Sequence, residues 1–393
     1  MKKNSNYLAA YYTDMQEMNL KKDMFLIPYY LSKSLNLPCL YYYGCNIGAN
    51  PLPEEYRGVR MFDFRHEKLN LKNQFWDMFR CIIMHARSIK VFFTIKLSLP
   101  AMIITLLYKE LNTQGKVMIM GDMKNPLAYS LVEHDFVFST GIKRILKKIL
   151  VNAFFRKIDI FSVEQKIVYQ TLVGSFNKNK WKGLTICHPC LDDELFYSLG
   201  LERPTKEIKD NIMLTVGRIG SYDKNTDMML EAFAKVNFKD WKVILIGPFA
   251  YGFNTKETSD YTQKVDHFFE SNPHLREHVI FTGPIYDSKQ LYDYYIRSKV
   301  FLLTSRTEGF ANVLSDAAAL GCYIVSTDVG GASYVSNDWK FGTKLNQEDP
   351  DQLASVLTAI IDGNLSMDVS CQKSFNDLLW SNMIRKNVLP KLL

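Results

Sequence analysis

The chain is 393 residues long, enough for two α/β domains and too long for one ordinary core. Hydrophobic residues at 47% and charged residues at 23% place it among soluble globular proteins, and seven cysteines without dense spacing exclude a disulfide scaffold. The net charge of +7 is modest, so any basic function must come from local clustering. Residues 1–12 hold no long apolar run, which argues against a secretory signal. The most apolar stretch, 97–108, is broken by Ser98, Pro100 and Thr105 and falls short of the roughly 20 residues a bilayer requires. A cytoplasmic protein in a reducing compartment is expected.

In chain order, 7–12 reads as a first strand, and 13–22 as a polar loop. A helix is expected over 23–35, with Asp23 as its cap and Pro28 one turn in, where proline is tolerated. A strand over 38–43 precedes a Gly-, Pro- and Asn-rich loop over 44–57. Helix 70–86, strand 88–95, helix 99–112 and strand 116–120 follow, and this alternation implies a doubly wound parallel sheet. Over 140–157, Ile142, Ile145, Leu146, Ile149, Leu150, Ala153 and Phe154 recur at helical spacing. Lys143, Arg144, Lys147, Lys148, Arg156 and Lys157 decorate the rest of that helix with no acid between them. Such a helix either packs on the core with a solvated basic face or lies on an anionic membrane surface. It is also the one feature that would favour nucleic acid, a partner not expected here.

A strand over 159–163, a helix over 165–175 and a strand over 184–187 close this half. Cys187 and Cys190 form a CxxC at a strand end; zinc would need two further ligands and redox chemistry a helix start, so a structural role is expected. The charged stretch 199–210 reads as an interdomain linker. A second β/α series has strands over 211–216, 241–246 and 279–282, with helices over 227–234, 261–271 and 288–297. Residues 300–331 then hold an unbroken apolar strand, a polar turn, a helix over about 311–320, Gly321 as its C′ glycine and a strand over 323–327. Asp349-Pro350-Asp351 formally spells a metal-binding DxD, but Asp351 as a helix cap is the simpler reading, and no histidine pair has ligand spacing (His134 is expected to be structural). No metal is expected. Residues 374–393 read as a terminal helix interrupted by Pro390.

The chemistry concentrates in the second half. A helix N-terminus after Glu308-Gly309 attracts anions, because its unpaired N–H groups and its dipole both favour negative charge. Asp316, eight residues on, shares a face with Glu308 if that helix reaches back far enough. Gly217-Arg218 ends a strand and Lys224 follows in the same loop, a planar fork and a mobile point charge suited to a diphosphate. A phosphate at the helix start flanked by carboxylates suits a nucleotide-sugar. Phe281-Thr282-Gly283-Pro284-Ile285 is a further strand-to-glycine turn.

The segment EGFANVLSDAAALGCYIVSTDVGG, with GR…K at 217–224, resembles the retaining glycosyltransferases of family four, although the second acid of their signature is here Asp316 rather than glutamate. The resemblance implies a GT-B fold: two Rossmann-like domains over 1–200 and 205–373, facing each other across a cleft, and a C-terminal helix (374–393) packing back on the first. It implies a cytoplasmic hexosyltransferase of bacterial-type surface glycan assembly, using a UDP- or GDP-type donor, without cofactor or metal, and a glycan or lipid-linked acceptor on the inner membrane face. Arg218, Lys224 and Glu308 would be the catalytic residues. Gly217, Gly283 and Ile285, the backbone at Gly309, Phe310, Ala311, Asn312 and Val313, and Asp316 toward the ribose would bind the donor. Asp14, Glu17, Lys22 and Asp23 in the first loop, and Asp122 in MGDMK, are acceptor-side candidates. The alternatives are an inactive GT-B partner subunit and a nucleotide-sugar epimerase on the same fold.

Overall fold

The computed structural model describes residues 6–83, 85–95, 97–121, 142–178, 183–202, 209–249, 255–367 and 376–393. The chain forms two units, Met1–Pro189 with Trp380–Leu393, and Cys190–Leu379. Asp122 and His134 lie outside the described residues.

The first unit contains strands β1 (Tyr7–Thr13), β2 (Cys39–Asn46), β3 (Glu55–Tyr56), β4 (Val59–His66), β5 (Ile89–Ile95), β6 (Lys116–Gly121), β7 (Ile160–Val163) and β8 (Leu184–Ile186) in the order β3-β4-β2-β1-β5-β6-β7-β8. Every neighbouring pair is parallel except β3 with β4. Around it lie α1 (Asp23–Ser34), α2 (Leu71–Ile83), α3 (Leu99–Leu111), α4 (Ile142–Lys157) and α5 (Lys166–Lys178). β1 is buried along its first five residues with no alternation, as a central parallel strand requires.

Two expectations fail in this unit. Residues 44–57 are not one loop: β2 continues to Asn46, and β3 and β4 form a hairpin through Arg57 and Gly58, both at positive φ. That is the backbone a two-residue hairpin turn requires, and arginine at the first position hides it from a search for Asn-Gly or Asp-Gly. Asp23 does not cap α1; it is the buried first helical residue, and Lys22 stands at the cap position.

The second unit begins earlier than the 199–210 linker suggests. Leu191 and the short helix α6 (Asp193–Ser198) pack in its core through Leu191 and Phe196, with Asp192 capping α6 through the Leu195 N–H at 3.2 Å. It ends at Leu379, not at 373, because Leu378 and Leu379 join the same core and the Leu191 N–H donates to the Leu378 carbonyl. Its sheet, β9 (Asp210–Val216), β10 (Lys242–Ile246), β11 (Val279–Gly283), β12 (Ser298–Leu303), β13 (Tyr323–Thr327) and β14 (Gly342–Leu345), runs β11-β10-β9-β12-β13-β14, all parallel. The helices are α7 (Thr226–Phe233), α8 (Thr255–Ser271), α9 (Ser288–Arg297), α10 (Asn312–Ala319), α11 (Ala332–Val335) and α12 (Pro350–Ile361). Asp349, not Asp351, caps α12 by accepting from the Gln352 N–H, and Pro350 takes the first helical position, where its missing donor costs nothing.

The terminal helices α13 (Trp380–Met383) and α14 (Leu389–Leu392), joined by a wide turn over Ile384–Val388, belong to the first unit. Trp380 stacks on Tyr30, and Asn387 is bonded to both Thr185 and Ile186 on β8.

α10 ends in a Schellman motif: Gly321 at φ +74 donates to the Ala318 carbonyl and Cys322 to that of Ala317. Its last carbonyl, on Leu320, accepts 2.6 Å from the buried amine of Lys209, which also reaches the carbonyls of Ser298 and Tyr295. Burial pulls that amine below the ordinary lysine range. Replacing Lys209 by Met is expected to strip the Leu320 carbonyl of its donor, leave those of Tyr295 and Ser298 only the weak Cys322 thiol, and destabilise the second unit by about 1–3 kcal/mol. Thermal melting checks this, and an unchanged midpoint would contradict it.

Candidate active site

In an open α/β sheet, ligands bind at the carboxyl ends of strands where the winding reverses. In the second unit that point lies between β9 and β12, which are neighbours although 82 residues separate Val216 from Ser298. The two loops leaving this edge carry the sequence-predicted residues.

The β9 loop is held by backbone. Gly217 donates to the Ile246 carbonyl and Ile219, buried, to that of Pro248. A Cβ on Gly247 would lie 1.7 Å from the Gly217 oxygen, so this crossing admits only glycine. Gly247 in turn donates to the Gly283 carbonyl, which brings the β11 turn with half-buried Ile285 to the same edge. The loop closes through the Gly220 N–H on Thr226, and Asn225 takes a left-handed conformation. Thr304, just past β12, donates to the carbonyls of Lys224 and Asn225.

Lys224 and Glu308 thereby meet: Nζ lies 2.5 Å from Oε1, both side chains about five-sixths buried (17% and 16% exposed). Ser305 donates to the same oxygen at 2.7 Å, leaving Oε2 without a partner among the described residues. Gly330, at φ +55, is required beside them, because a Cβ there would fall 2.4 Å from that of Glu308. Arg218 is half-exposed and 3.8 Å from Asp223, a weak pairing that leaves its guanidinium available.

α10 opens at Asn312, four residues after Glu308, so Glu308 stands in the loop before the helix and shares no helix face with Asp316. The N–H groups of Asn312 and Val313 have no partner among the described residues, whereas that of Ala311 is already given to the Gly330 carbonyl. Ala311 is therefore withdrawn from the expected donors. Gly309 lies in the turn, and Phe310 is buried against Gly331. Asp316, partly buried one turn into α10, has its carboxyl pushed up to about 8 by burial, with the charge of Asp192 adding to the effect. Near neutral pH it is a neutral acid, which also donates, rather than the expected carboxylate.

One pair was missed in the sequence. Arg306 grips Glu348 with two nitrogens at 2.6 and 3.0 Å, donates from its backbone to the Asp223 carbonyl and from Nη1 to that of Tyr222, and stacks over the Tyr222 ring. It ties the β9 loop to the turn carrying Glu308. Its position in TSRTEG, two residues before the glutamate, was the available signal.

In the first unit, Asp14 is exposed at φ +62, Glu17 is exposed in a one-turn helix, and Lys22 is half-buried. Cys187 and Cys190 are buried, and burial pushes the Cys187 thiol up, which suits the structural role. Among the described residues no group of three His, Cys, Asp or Glu is placed to hold a metal ion, and no helix is long and apolar enough to cross a membrane.

Two units built on largely parallel sheets, the second with a lysine and a glutamate paired at its carboxyl edge, give the GT-B fold. Solved structures share this fold: a glycosyltransferase from Rickettsia africae (TM-score 0.63, 13% identity, 98% of this chain and 97% of that one) and Anabaena HepE in complex with UDP (TM-score 0.61, 13% identity, 96% and 94%). Residues 201–374 match the family model of glycosyl transferases group 1. Curated relatives include the N-acetylgalactosamine-N,N'-diacetylbacillosaminyl-diphospho-undecaprenol 4-alpha-N-acetylgalactosaminyltransferase of Campylobacter jejuni, 25% identical over 219 residues (56% of this chain, 55% of the relative). The amylovoran biosynthesis glycosyltransferase AmsD of Erwinia amylovora is 26% identical over 176 residues (44% of each). The chain spans about half the length of these relatives.

Asp316 supplies a pH test. The folded chain holds its proton up to about pH 8 against an ordinary value of 3.8. Its contribution to stability is therefore fully present below the ordinary value and lost as pH rises through about 8. Asp316→Asn, which cannot ionise, is expected to gain stability relative to the parent as pH rises from about 4 to about 8. A difference independent of pH, in melts of both proteins, would contradict this.

Proposed function

We propose that the chain is a retaining, metal-independent glycosyltransferase moving a hexose-type sugar from a UDP- or GDP-type donor to a glycan or lipid-linked acceptor in surface-polysaccharide or glycoconjugate assembly. The observation that carries the reading is the Lys224–Glu308 pair beside the open N–H groups of Asn312 and Val313 and the guanidinium of Arg218, held only weakly by Asp223. The relatives' names support the acceptor class, one a diphospho-undecaprenol glycan and one a polysaccharide.

The diphosphate lies on the α10 N-terminus, and Lys224 turns from Glu308 toward it. Bond breaking places negative charge on the leaving phosphate, so Arg218 and Lys224 stabilise the transition state more than the ground state. Glu308 accepts hydrogen bonds from the transferred sugar's hydroxyls through Oε2. No enzymic nucleophile is invoked; the acceptor attacks from the face the phosphate leaves, and that phosphate takes the acceptor's proton. Glu308→Gln, which still accepts from Ser305, is expected to cut transfer by roughly a hundredfold or more with a melting point changed by only a few degrees. Mass spectrometry of the products of a nucleotide-sugar panel checks this. Parent-level transfer by the variant would remove Glu308 from the site, and an epimerised nucleotide-sugar as product would replace transfer with epimerisation.

The same reading places the chain in the cytoplasm, peripheral on the inner membrane face. Its support is α4, where Val151 and Phe154 face the core while Ile145, Leu146 and Ile149 stand about 60% exposed beside exposed Lys148. Ile145→Ser with Ile149→Ser is expected to reduce co-sedimentation with anionic phosphatidylglycerol vesicles several-fold. Unchanged pelleting would refute the membrane contact.

A further inference from the structure

The turn that carries Lys224 is fastened one carbonyl at a time by the turn that carries Glu308. Arg306 Nη1 donates to the Tyr222 carbonyl at 2.6 Å, and the Arg306 backbone N–H donates to that of Asp223 at 2.8 Å. The Thr304 hydroxyl is shared between the carbonyls of Lys224 and Asn225, at 3.1 and 2.9 Å. Residues 222 to 225 thus take their donors from Thr304 and Arg306, and Glu308 follows two residues later. Each peptide is planar, so pinning these carbonyls sets the direction in which the Lys224 side chain leaves the chain.

Arg306 is itself held by a third loop, the one after β14. Its Nε and Nη2 fork onto the two oxygens of Glu348 at 2.6 and 3.0 Å, and Gln347 Nε2 donates to its carbonyl at 2.9 Å. The guanidinium keeps the Glu348 carboxyl below the usual carboxylate range, so this acid is charged near neutral pH. Glu348 also accepts from Asn225 Nδ2 at 3.3 Å. Both residues of that bond sit in the left-handed region, Asn225 at φ +48 and Glu348 at φ +56. A residue with a side chain disfavours that conformation and keeps it where its neighbours over-determine it. The circuit Tyr222–Arg306–Glu348–Asn225 therefore closes around Lys224 from both sides. It needs arginine rather than any cation: three nitrogens serve acceptors in two loops while Cζ stands 4.3 Å over the Tyr222 ring. A lysine, with one nitrogen, cannot hold both ends.

We propose that Arg306, braced by Glu348, is a positioning residue for Lys224: it sets where the lysine amine stands, and so the affinity of this edge for a diphosphate. This rests on the donor reading of the same edge. Arg306 acts on the diphosphate through Lys224 alone.

Two substitutions separate position from charge. Arg306→Lys keeps the charge and loses the fork. Glu348→Gln removes a negative charge, so electrostatics alone would tighten an anion, whereas loss of position weakens it. Calorimetric titration of the full chain with UDP and uridine, and with GDP and guanosine, gives each protein's preference for a diphosphate over its nucleoside. Arg306→Lys is expected to weaken the preferred diphosphate roughly tenfold or more and Glu348→Gln roughly threefold or more, with nucleoside affinity within about twofold of the parent. In a Lys224→Ala background, Arg306→Lys is expected to change diphosphate affinity by less than about twofold, because the group it positions is gone. Glu348 is exposed, so Glu348→Gln carries the test even where Arg306→Lys does not fold. Parent-level diphosphate affinity in Arg306→Lys, or tighter binding in Glu348→Gln, overturns the proposal. So does an Arg306→Lys loss as large without Lys224 as with it, or one shared equally by diphosphate and nucleoside, which would mark Arg306 as merely structural. A parent that binds neither diphosphate better than its nucleoside overturns the donor reading and this inference with it, a result distinct from all the others.

Discussion

The second unit depends on bringing a lysine and a glutamate 84 residues apart into a 2.5 Å contact at a sheet edge. Removing two charges from most of their water is costly, and an ion pair of this kind adds little net stability. It exists because the fold holds it: β9 and β12 are neighbours, Thr304 locks the loop that carries Lys224, Ser305 and Gly330 fit around Glu308, and Arg306 fastens one loop to the other. A cation so held is preorganised, and under the proposed function a diphosphate would meet a site already assembled.

Helix α10 is stabilised from its far end. The Schellman turn at Gly321 satisfies the late carbonyls of α10, and Lys209 places a positive charge on its last one. Positive charge at the C-terminus and an open N-terminus act along one axis. Asp316 between them stays neutral near pH 7, which spares α10 a buried negative charge facing Asp192.

Strongly patterned elements were legible in the chain. The unbroken apolar run of β12, the glycine after α10 and the loop from Gly217 to Lys224 follow from burial on both faces, positive φ and a strand end, each of them local. What escaped was decided by distant partners. β4 alternates buried and exposed residues at a sheet margin, and its hairpin turns on Arg57 rather than asparagine. Arg306 has its meaning only through Glu348, a pair that sequence spacing does not announce. The unit boundary moved from the polar linker to Pro189 because Leu191 and Phe196 found their apolar neighbours in the second core. Cap identity at Asp349 was settled by which acid reaches the Gln352 N–H.

The central claim is that Lys224 grips a pyrophosphate. Calorimetric titration of the full chain with UDP and with uridine, repeated on Lys224→Ala, tests it most directly. The account requires UDP to bind roughly a hundredfold or more tightly than uridine, and most of that advantage to vanish in Lys224→Ala while uridine affinity stays the same. UDP binding equally tight in both proteins would contradict it.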